Sequence, residues 1–444
     1  MSRYKPYPAY KESGVEWLGQ VPSHWTVCKL SFRYSIELGK MLDEKKLTKT
    51  SLIPYLRNQD VQWDRINTYD LPEMDIHPEE LDRYTIRHGD LLVCEGGDVG
   101  RAAIWRGGNA VFGYQKALHR LRHRSPSEDT AAFFFFSLLT AKQRGVFEES
   151  DSKATIAHLP AEKFRQYRFA FPPLDEQNAI TAKLDRETAR IDALIEKKTR
   201  FIDLLREKRQ ALITHAVTKG LDPNVKMKDS GVEWLGEVPE HWKVKPFKTC
   251  IDFQEGPGIM AADFCDSGVP LLRVAGVQGR WASLKGCNHL SPAKVERQWN
   301  HFRLAQGDLL ISASASMGSV CEVDGEGVGA IAYTGLIRLR GKQGVMLRPY
   351  IRSLVVSSLF SNQIELFKAG STIQHFGPIH LSQMLVLCPP LDEQAAIAQH
   401  LEDETLRIDQ LIDKSERSIE LIKERRSALI TAAVTGQIDL REAA

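Results

Sequence analysis

The most regular stretch of the chain begins at Leu174, where charged residues alternate with apolar ones at helical spacing as far as Lys219, without glycine or proline. This pattern predicts one long helix, roughly 65 to 70 Å in length at about 1.5 Å per residue. A similar stretch starts at Leu391. Because apolar positions recur every seven residues, we expect the two helices to form a coiled coil. The predicted spacer seam comprises Leu184, Ile191, Ile195, Ile202, Leu205 and Leu212 in the first helix and Leu401, Ile408, Ile422 and Leu429 in the second.

Both predicted helices have marked ends. Asp175 and Glu176 place negative charge at the start of the first helix, where the helix dipole favours it, and the two preceding prolines stiffen its entry. Gly220 ends the first helix and Gly436 ends the second. Neither helix can bury its apolar stripe alone. We therefore expect an antiparallel pair, an arrangement that would also bring the chain termini together.

The two helices belong to a tandem duplication. KESGVEWLGQVPSHW at 11–25 returns as KDSGVEWLGEVPEHW at 228–242, and PPLDEQ at 172–177 returns at 389–394. ALITHAVT at 211–218 returns as ALITAAVT at 428–435. The interval between copies is constant and long. It indicates two paired domains with an internal pseudo-two-fold repeat.

Between these repeated ends, the halves agree only in short apolar runs beside turn residues, such as HGDLLVC at 88–94 and QGDLLIS at 306–312. Such runs predict strands of a mixed α/β (α+β) domain. The predicted organisation is two globular recognition domains with two spacer helices and a short tail. The domains span 1–173 and 222–390, the helices 174–221 and 391–436, and the tail 437–444.

Composition fits a folded chain and excludes few functions. The chain has 444 residues, 43% hydrophobic and 26% charged, with a net charge of +2, too small to indicate a nucleic-acid partner. Its longest apolar run, AAFFFFSLLTA at 131–141, is too short to cross a bilayer and predicts a buried helix or strand. With no secretory signal at the N-terminus, we expect a cytoplasmic protein. Seven cysteines without a CxxC pair predict reduced thiols and no metal site.

Catalytic signatures are missing from the sequence. It contains neither GxxxxGK[ST] for nucleotide phosphates nor HExxH for zinc, and GxSxG is absent too. The two x-Pro-Pro-Leu sites lack both the polar first residue and the aromatic last residue of amino-methyltransferases. We therefore predict no catalytic residue and no bound metal in this chain.

Arginines at matching positions are candidates for contact with DNA. Arg57 and Arg273 each follow an apolar run, where a loop could present a guanidinium to guanine or to phosphate. A surface salt bridge is nearly as good an explanation. The residues after them differ between the halves, as they would if each half read a different target or had drifted neutrally. HRLRHR at 119–124 predicts further positive surface, whereas the repeated Trp residues favour structural packing.

Taken together, the repeated PPLDEQ, the repeated GVEWLGxVPxHW, the GDLL turns and the helices ending in ALITxAVT resemble the specificity subunit of type I restriction-modification systems. The resemblance covers almost the whole chain. It implies two target recognition domains that read the two halves of a split DNA sequence, with a gap set by the spacer helices. It also implies a subunit without an active site of its own.

The resemblance further implies partners and where the cofactors reside. Double-stranded DNA, two modification (methyltransferase) subunits and restriction (translocase/endonuclease) subunits would bind this chain, and no membrane would. S-adenosylmethionine for adenine methylation, and ATP and Mg for translocation, would belong to those partners, leaving no cofactor in this chain.

The candidate DNA-binding residues lie in predicted loops or strand ends of both domains. In the first domain they are Arg57, Asn58, Gln59, Arg101, Lys116, Lys153 and Thr155. In the second they are Arg273, Gln278, Arg280, Ser314, Ser316, Thr372 and Gln374.

Two other functions remain open at this point. A self-contained DNA methyltransferase or endonuclease would need a cofactor pocket in this chain and would bind S-adenosylmethionine by itself. A coiled-coil scaffold that does not bind DNA would show no affinity for duplex DNA and no steep dependence on salt.

Overall fold

The computed structural model describes residues 4–42, 48–108, 110–148, 158–314, 318–368 and 376–443. The chain divides into two compact units, of which unit 1 consists of residues 1–198 and 417–444 and unit 2 of residues 199–416. Each unit therefore contains one globular domain and a segment of both long helices. The predicted mixed α/β fold is confirmed.

Unit 1 begins and ends in short strands. Its elements are β1 (Tyr4–Lys5), β2 (Tyr10–Glu12), β3 (Gln20–Pro22), β4 (Thr26–Lys29), α1 (Leu30–Arg33), β5 (Tyr34–Leu38), β6 (Leu52–Leu56), β7 (Val61–Gln62), β8 (Arg65–Ile66), β9 (Glu73–Asp75), α2 (Leu81–Tyr84), β10 (Leu91–Cys94), β11 (Ala102–Ile104), β12 (Gly113–Tyr114), β13 (Leu118–His123), α3 (Ala131–Gln143), α4 (Ala161–Gln166), β14 (Arg168–Phe171), the first part of α5 (Leu174–Lys219), and β27 (Asp439–Ala443) after the end of α11.

Two sheets form the centre of unit 1. The larger is antiparallel, in the order β11-β10-β13-β5, and the smaller has the order β12-β6-β9, with β12 parallel to β6. The apolar run at 131–141 forms the buried helix α3, whose four consecutive phenylalanines enter an aromatic core with Trp25 and Tyr34. Alternate residues of β10 and β13 face this core.

Unit 2 repeats this order. Its elements are the remainder of α5, β15 (Met227–Asp229), β16 (Glu237–Pro239), β17 (Lys243–Pro246), α6 (Phe247–Cys250), β18 (Ile251–Glu255), β19 (Phe264–Cys265), β20 (Val269–Leu272), β21 (Asn288–Leu290), α7 (Pro292–Lys294), β22 (Leu309–Ser312), β23 (Val320–Glu322), β24 (Ile331–Ala332), β25 (Leu336–Gly341), α8 (Arg348–Val355), α9 (Ser358–Lys368), α10 (Pro378–Gln383), β26 (Leu385–Cys388) and the first part of α11 (Leu391–Val434).

Its sheets correspond to those of unit 1. The order β23-β22-β25-β18 matches the larger sheet, and β20 again pairs in parallel with β24, as β6 does with β12. The GDLL turns have one function in both units. Asp90 is bonded to Arg122 on the neighbouring strand (Nη2 to Oδ2, 2.6 Å), and Asp308 to Arg340 at the same distance. Each buried carboxylate thus joins two strands of its sheet.

The long helix α5 begins at Leu174 and ends at Lys219, as predicted. Within unit 1 it runs antiparallel to α11. Asp192 meets Arg426 of α11 at 2.9 Å, whereas Glu176, more than four turns earlier in α5, meets Arg441 of β27, beyond the C-terminal end of α11, at 3.3 Å. Within unit 2 the helices are also antiparallel. There Arg206 meets Glu416 and Arg209 meets Asp409, both at 3.1 Å.

The predicted seam residues are all at least partly buried, but unequally. Leu184, Ile202, Leu205, Leu401 and Ile408 are buried, whereas Ile191, Ile195, Leu212, Ile422 and Leu429 are partly buried. At the ALIT end of each helix the residues that follow Leu212 and Leu429, Ile213 and Ile430, are more deeply buried than these leucines. They belong to the cores of the globular domains. At its ALIT end, the buried face of each helix therefore packs against the globular domain.

The repeated motifs fix each helix to its domain. Trp25 Nε1 donates to Glu176 Oε1 at 2.9 Å, and His24 Nε2 lies 2.8 Å from Oε2. In unit 2, Trp242 Nε1 donates to Glu393 Oε2 at 2.7 Å. The repeated spacing of HW and PPLDEQ within the chain therefore reflects one junction made twice. The structural interpretation holds for Trp25 and Trp242, which are fully buried.

Glycine is required where each long helix ends. Gly220 and Gly436 have φ of +79° and +71°, a conformation that other residues adopt at a cost. A Cβ on Gly436 would lie 2.2 Å from Cδ of Pro22. After this turn, β27 pairs antiparallel with β1, with Tyr4 opposite Ala443. The expectation that the ends of the chain meet is confirmed.

Candidate nucleic-acid interface

Arg57 and Arg273 occupy the same backbone position in their units. Each follows a strand of the sheet with a parallel pair, β6 or β20, and precedes a single 3-10 turn, Asn58–Asp60 or Val274–Gly276. The two arginines have nearly equal dihedral angles. Arg57 bonds Asp60 in a bidentate manner, with Nε 2.8 Å from Oδ2 and Nη2 2.9 Å from Oδ1. This bond raises the pKa of Arg57 and neutralises its charge locally.

Arg273 has no such carboxylate in its turn, because Gly276 stands at the place of Asp60. Its Nη1 donates to the Asn288 amide oxygen at 3.0 Å, and its guanidinium lies 5.5 Å from the centre of the Tyr333 ring. Both contacts are to neutral groups. The positive charge of Arg273 therefore remains available to an anion such as a DNA phosphate.

Asn58 and Arg101 are brought together in unit 1. Arg101 Nη2 donates to Asn58 Oδ1 at 2.8 Å and to its carbonyl at 3.0 Å, while Asn58 Nδ2 donates to the Gly96 carbonyl at 2.9 Å. These bonds tie the loop after β6 to the loop between β10 and β11. They also occupy the groups that would otherwise read a base.

Gln59 and Lys116 are exposed beside this pair of loops. Burial raises the pKa of the nearby Glu95, and the positive charges of Lys116 and His158 partly oppose that shift. The backbone of His158 pairs with that of Gly96. Lys153 and Thr155 lie outside the described residues.

In unit 2, Gln278 is exposed, whereas Arg280 bonds the carboxylate of Glu402 on α11, with Nη1 2.6 Å from Oε1. Arg280 is thus directed toward the long helix. Ser314 is partly buried, and its carbonyl accepts from Ser312 Oγ at 2.6 Å. Ser316, Thr372 and Gln374 lie outside the described residues.

The basic run HRLRHR does not form the positive surface that its sequence predicts. His119 and Arg120 are buried, Arg122 is bonded to Asp90, and Arg120 donates to the carbonyls of Asp82 and Thr85. The run forms β13, an interior strand between β10 and β5. Its basic side chains up to Arg122 are therefore used inside the domain, and only Arg124, beyond the end of β13, is exposed.

Two positions near the arginines were not among the candidates. The backbone N–H of Gln115 donates to Leu56, and that of Tyr333 donates to Leu272, both at 2.9 Å. The two residues therefore occupy the same place at the ends of β12 and β24, close to Arg57 and Arg273. Their side chains differ, as reading positions with separate targets would. The sequence signal for them is weak because a two-residue pairing is too short to align.

Comparisons with known proteins agree with this architecture. Residues 22–202 match the family model described as type I restriction modification DNA specificity domain. The chain is 24% identical to the type I restriction enzyme MjaVIII specificity subunit of Methanocaldococcus jannaschii. The alignment of 362 residues covers 79% of each chain. It is 20% identical to the EcoBI specificity subunit of Escherichia coli, over 87% of this chain and 80% of that protein.

Solved structures share the fold. A chain of a type I restriction-modification system, from a study of its complex assembly and conformational transition, matches with a TM-score of 0.72 and 14% identity over 93% of this chain and 98% of that one. The HsdS subunit of Thermoanaerobacter tengcongensis matches with a TM-score of 0.56 and 16% identity over 94% and 98%. Similarity to these proteins does not favour either alternative function, a self-contained enzyme or a scaffold that does not bind DNA. The chain is therefore similar to the specificity subunits of type I restriction-modification systems, and its residues 22–202 match the DNA specificity domain of that family.

Proposed function

We propose that this chain reads a split DNA target, with the domain at 1–173 recognising one half-site and the domain at 222–390 the other. The observation that supports this best is that the two domains have the same junction with their helices but different loops at the candidate DNA-contact positions. Each domain is fixed to its helix by the same Trp–Glu junction, while the residues beside Arg57 and Arg273 differ in charge and size. Equal frames with different contact residues suit two different half-sites.

The chain acts in this proposal as a non-catalytic, cytoplasmic subunit that assembles two modification subunits and the restriction subunits. S-adenosylmethionine, ATP and Mg are bound by those partners. The long helices supply a surface for a pair of identical partners. In unit 1, Leu194 and Leu421 are exposed, and in unit 2 their repeat equivalents Leu411 and Leu204 are exposed. Equivalent apolar side chains on two units fit two copies of one subunit.

Methylome sequencing tests the DNA-reading part. A host that expresses this chain with its modification subunit should acquire methyladenine in a new motif of two half-sites separated by a fixed gap. Replacing Arg273 by Ala should reduce methylation of that motif, whereas Lys248→Ala, at an exposed position on α6, should not. An unchanged methylome despite an assembled complex would contradict the proposal.

Co-purification tests the assembly part. The double variant Leu204→Glu and Leu421→Glu places a charge on the exposed helix surface of each unit and should abolish binding of modification subunits. Leu366→Glu adds the same charge at an exposed leucine near the C-terminal end of α9, outside the two long helices, and should assemble normally. Normal assembly of the double variant would place the docking surface elsewhere.

A further inference from the structure

Unit 2 contains a cavity of about 530 Å³ beside α8 and the adjoining parts of α5 and α11. Four arginines line it, together with two carboxylates and an apolar wall. The arginines are Arg209, Arg280, Arg348 and Arg352, the carboxylates are Glu322 and Glu402, and the apolar wall includes Ile213, Leu347 and Leu401.

The two carboxylates do not satisfy the arginines that share them. Arg280 is bonded to Glu402 at 2.6 Å, but Arg352 lies 3.9 Å from the same carboxylate, and Arg348 lies 3.4 Å from Glu322. The last two distances exceed those of ordinary N–H···O bonds. Burial lowers the pKa of Arg352, and the positive charge of Arg280 adds to that shift. Arg209 is already paired with Asp409, at 3.1 Å. The other three arginines therefore face two carboxylates, which leaves an excess of positive charge in a partly desolvated place.

The first half of the chain places different side chains at the corresponding positions. Gln177 accepts from the Thr130 N–H as Gln394 does from the Leu347 N–H, which aligns α3 with α8. In this alignment, Ala131 occupies the position equivalent to Arg348, and Phe135 occupies the position equivalent to Arg352. Phe135 is buried and packs edge-on against Trp63, with ring centres 6.0 Å apart.

Arg280 arises from an insertion, whereas Arg209 has a repeat equivalent in Arg426. Gln62 and Trp63 are adjacent in the first half, whereas Gly279 and Arg280 separate Gln278 from Trp281 in the second. Arg280 then lies over the Trp281 ring, 5.2 Å from its centre, and reaches Glu402. Three of the four arginines are therefore particular to the second half of a duplicated chain.

We propose that this cavity binds a small phosphorylated molecule, about the size of a mononucleotide, once per chain. Guanidinium groups bond phosphate oxygens in pairs, and Arg348 and Arg352 have donors to offer. The volume falls within the range of small-molecule sites, and the apolar wall can cover the uncharged part of the ligand. Partner subunits present as a pair would use surfaces that both halves share, whereas these arginines occur in one half.

Isothermal titration calorimetry on the full-length chain tests the proposal, with pyrophosphate, the nucleoside 5′-monophosphates and the corresponding unphosphorylated nucleosides as probes. We expect one site per chain that prefers phosphorylated probes. Arg352→Phe, which installs the residue of the first half, should weaken binding at least tenfold, and so should Arg348→Ala. Lys248→Ala removes an exposed positive charge outside the cavity and should change the affinity less than twofold.

Three outcomes would overturn the proposal. Equal affinity of wild-type chain and folded Arg352→Phe or Arg348→Ala would remove the cavity as the site, and so would equal affinity for unphosphorylated nucleosides. If a target duplex displaces pyrophosphate and both variants weaken duplex binding to the same extent, the arginines contact DNA instead. Because the half-site readout depends on other residues, loss of phosphate binding with normal methylation would leave the DNA-reading function intact.

Discussion

Glu176 concentrates several contacts of unit 1 on one buried carboxylate. His24, Trp25 and Arg441 all meet it, and its side chain is 3% exposed. Its counterpart Glu393 receives the equivalent Trp and His contacts but is 38% exposed. Water can therefore replace a lost partner at the second junction more readily than at the first. Two copies of one motif thus differ in their importance for stability.

Replacing Glu176 by Ala should lower the free energy of unfolding by about 2 to 3 kcal/mol, because the buried Trp25 N–H loses its acceptor. Glu393→Ala is the matched control and should cost less than about 1 kcal/mol, since its junction is solvated. Urea denaturation monitored by circular dichroism measures both. Equal losses would show that burial does not distinguish the two junctions.

His119 gives unit 1 a dependence on pH. It is buried in β13, with Nε2 2.7 Å from the Leu159 carbonyl, and desolvation lowers its pKa from 6.5 to about 4. The unfolded chain therefore binds a proton below pH 6.5 that the folded chain does not bind until about pH 4. This contribution to stability is present above pH 6.5 and is lost as the pH falls toward 4.

From this residue we expect unfolding free energy to fall by about 2 kcal/mol between pH 7 and pH 5. His119→Gln should remove that part of the pH dependence and leave the part due to carboxylates. Urea titrations of both chains at the two pH values give the difference. The same slope in both chains would contradict the assignment.

At the scale of elements, the alternation of charged and apolar residues without glycine or proline predicted the bounds of α5, because local spacing alone determines a long amphipathic helix. It could not place Ile213 and Ile430, because which side of a helix end is buried depends on the domain packed against it. The wrong prediction that HRLRHR forms a positive surface has the same cause. Its alternating basic residues do not reveal that β13 lies inside a sheet.

The candidate DNA-contact residues show a similar division. The bond from Arg57 to Asp60 spans three residues and can be anticipated from the sequence. The bond from Arg280 to Glu402 joins a loop to a helix far along the chain and depends on the tertiary fold. All fourteen candidate DNA contacts, exposed ones such as Lys116, Gln278 and Arg273 included, stay predictions.

Leu204 and Leu205 are adjacent in α5 and face opposite environments. Leu205 is 8% exposed in the seam, whereas Leu204 is 53% exposed. Leu205→Ala should cost about 2 kcal/mol or more of stability, because it leaves a cavity in the seam. Leu204→Ala should cost less than about 0.5 kcal/mol, and thermal denaturation of the two variants measures the contrast. A destabilised Leu204→Ala would mean that this leucine is already covered within the chain.

At the scale of the whole molecule, each compact unit is built from both copies of the repeat. Unit 1 takes residues 417–444 from the second copy, and unit 2 takes residues 199–219 from the first. The Arg–Asp pairs reflect this exchange, since Arg426 and Arg209 are repeat equivalents, as are Asp192 and Asp409. Neither copy contains all the helix contacts of a unit.

A fragment of residues 1–221 would therefore carry one recognition domain and one unpaired helix, and a second identical fragment could supply the missing ALIT segment. We expect it to form a homodimer of twice the fragment mass in light scattering, and to direct methylation of a palindrome. A folded monomer would contradict this expectation. An ancestral half-length polypeptide would then have recognised a palindrome as a dimer. Recognition of an asymmetric target would have arisen later, after the two fused copies diverged.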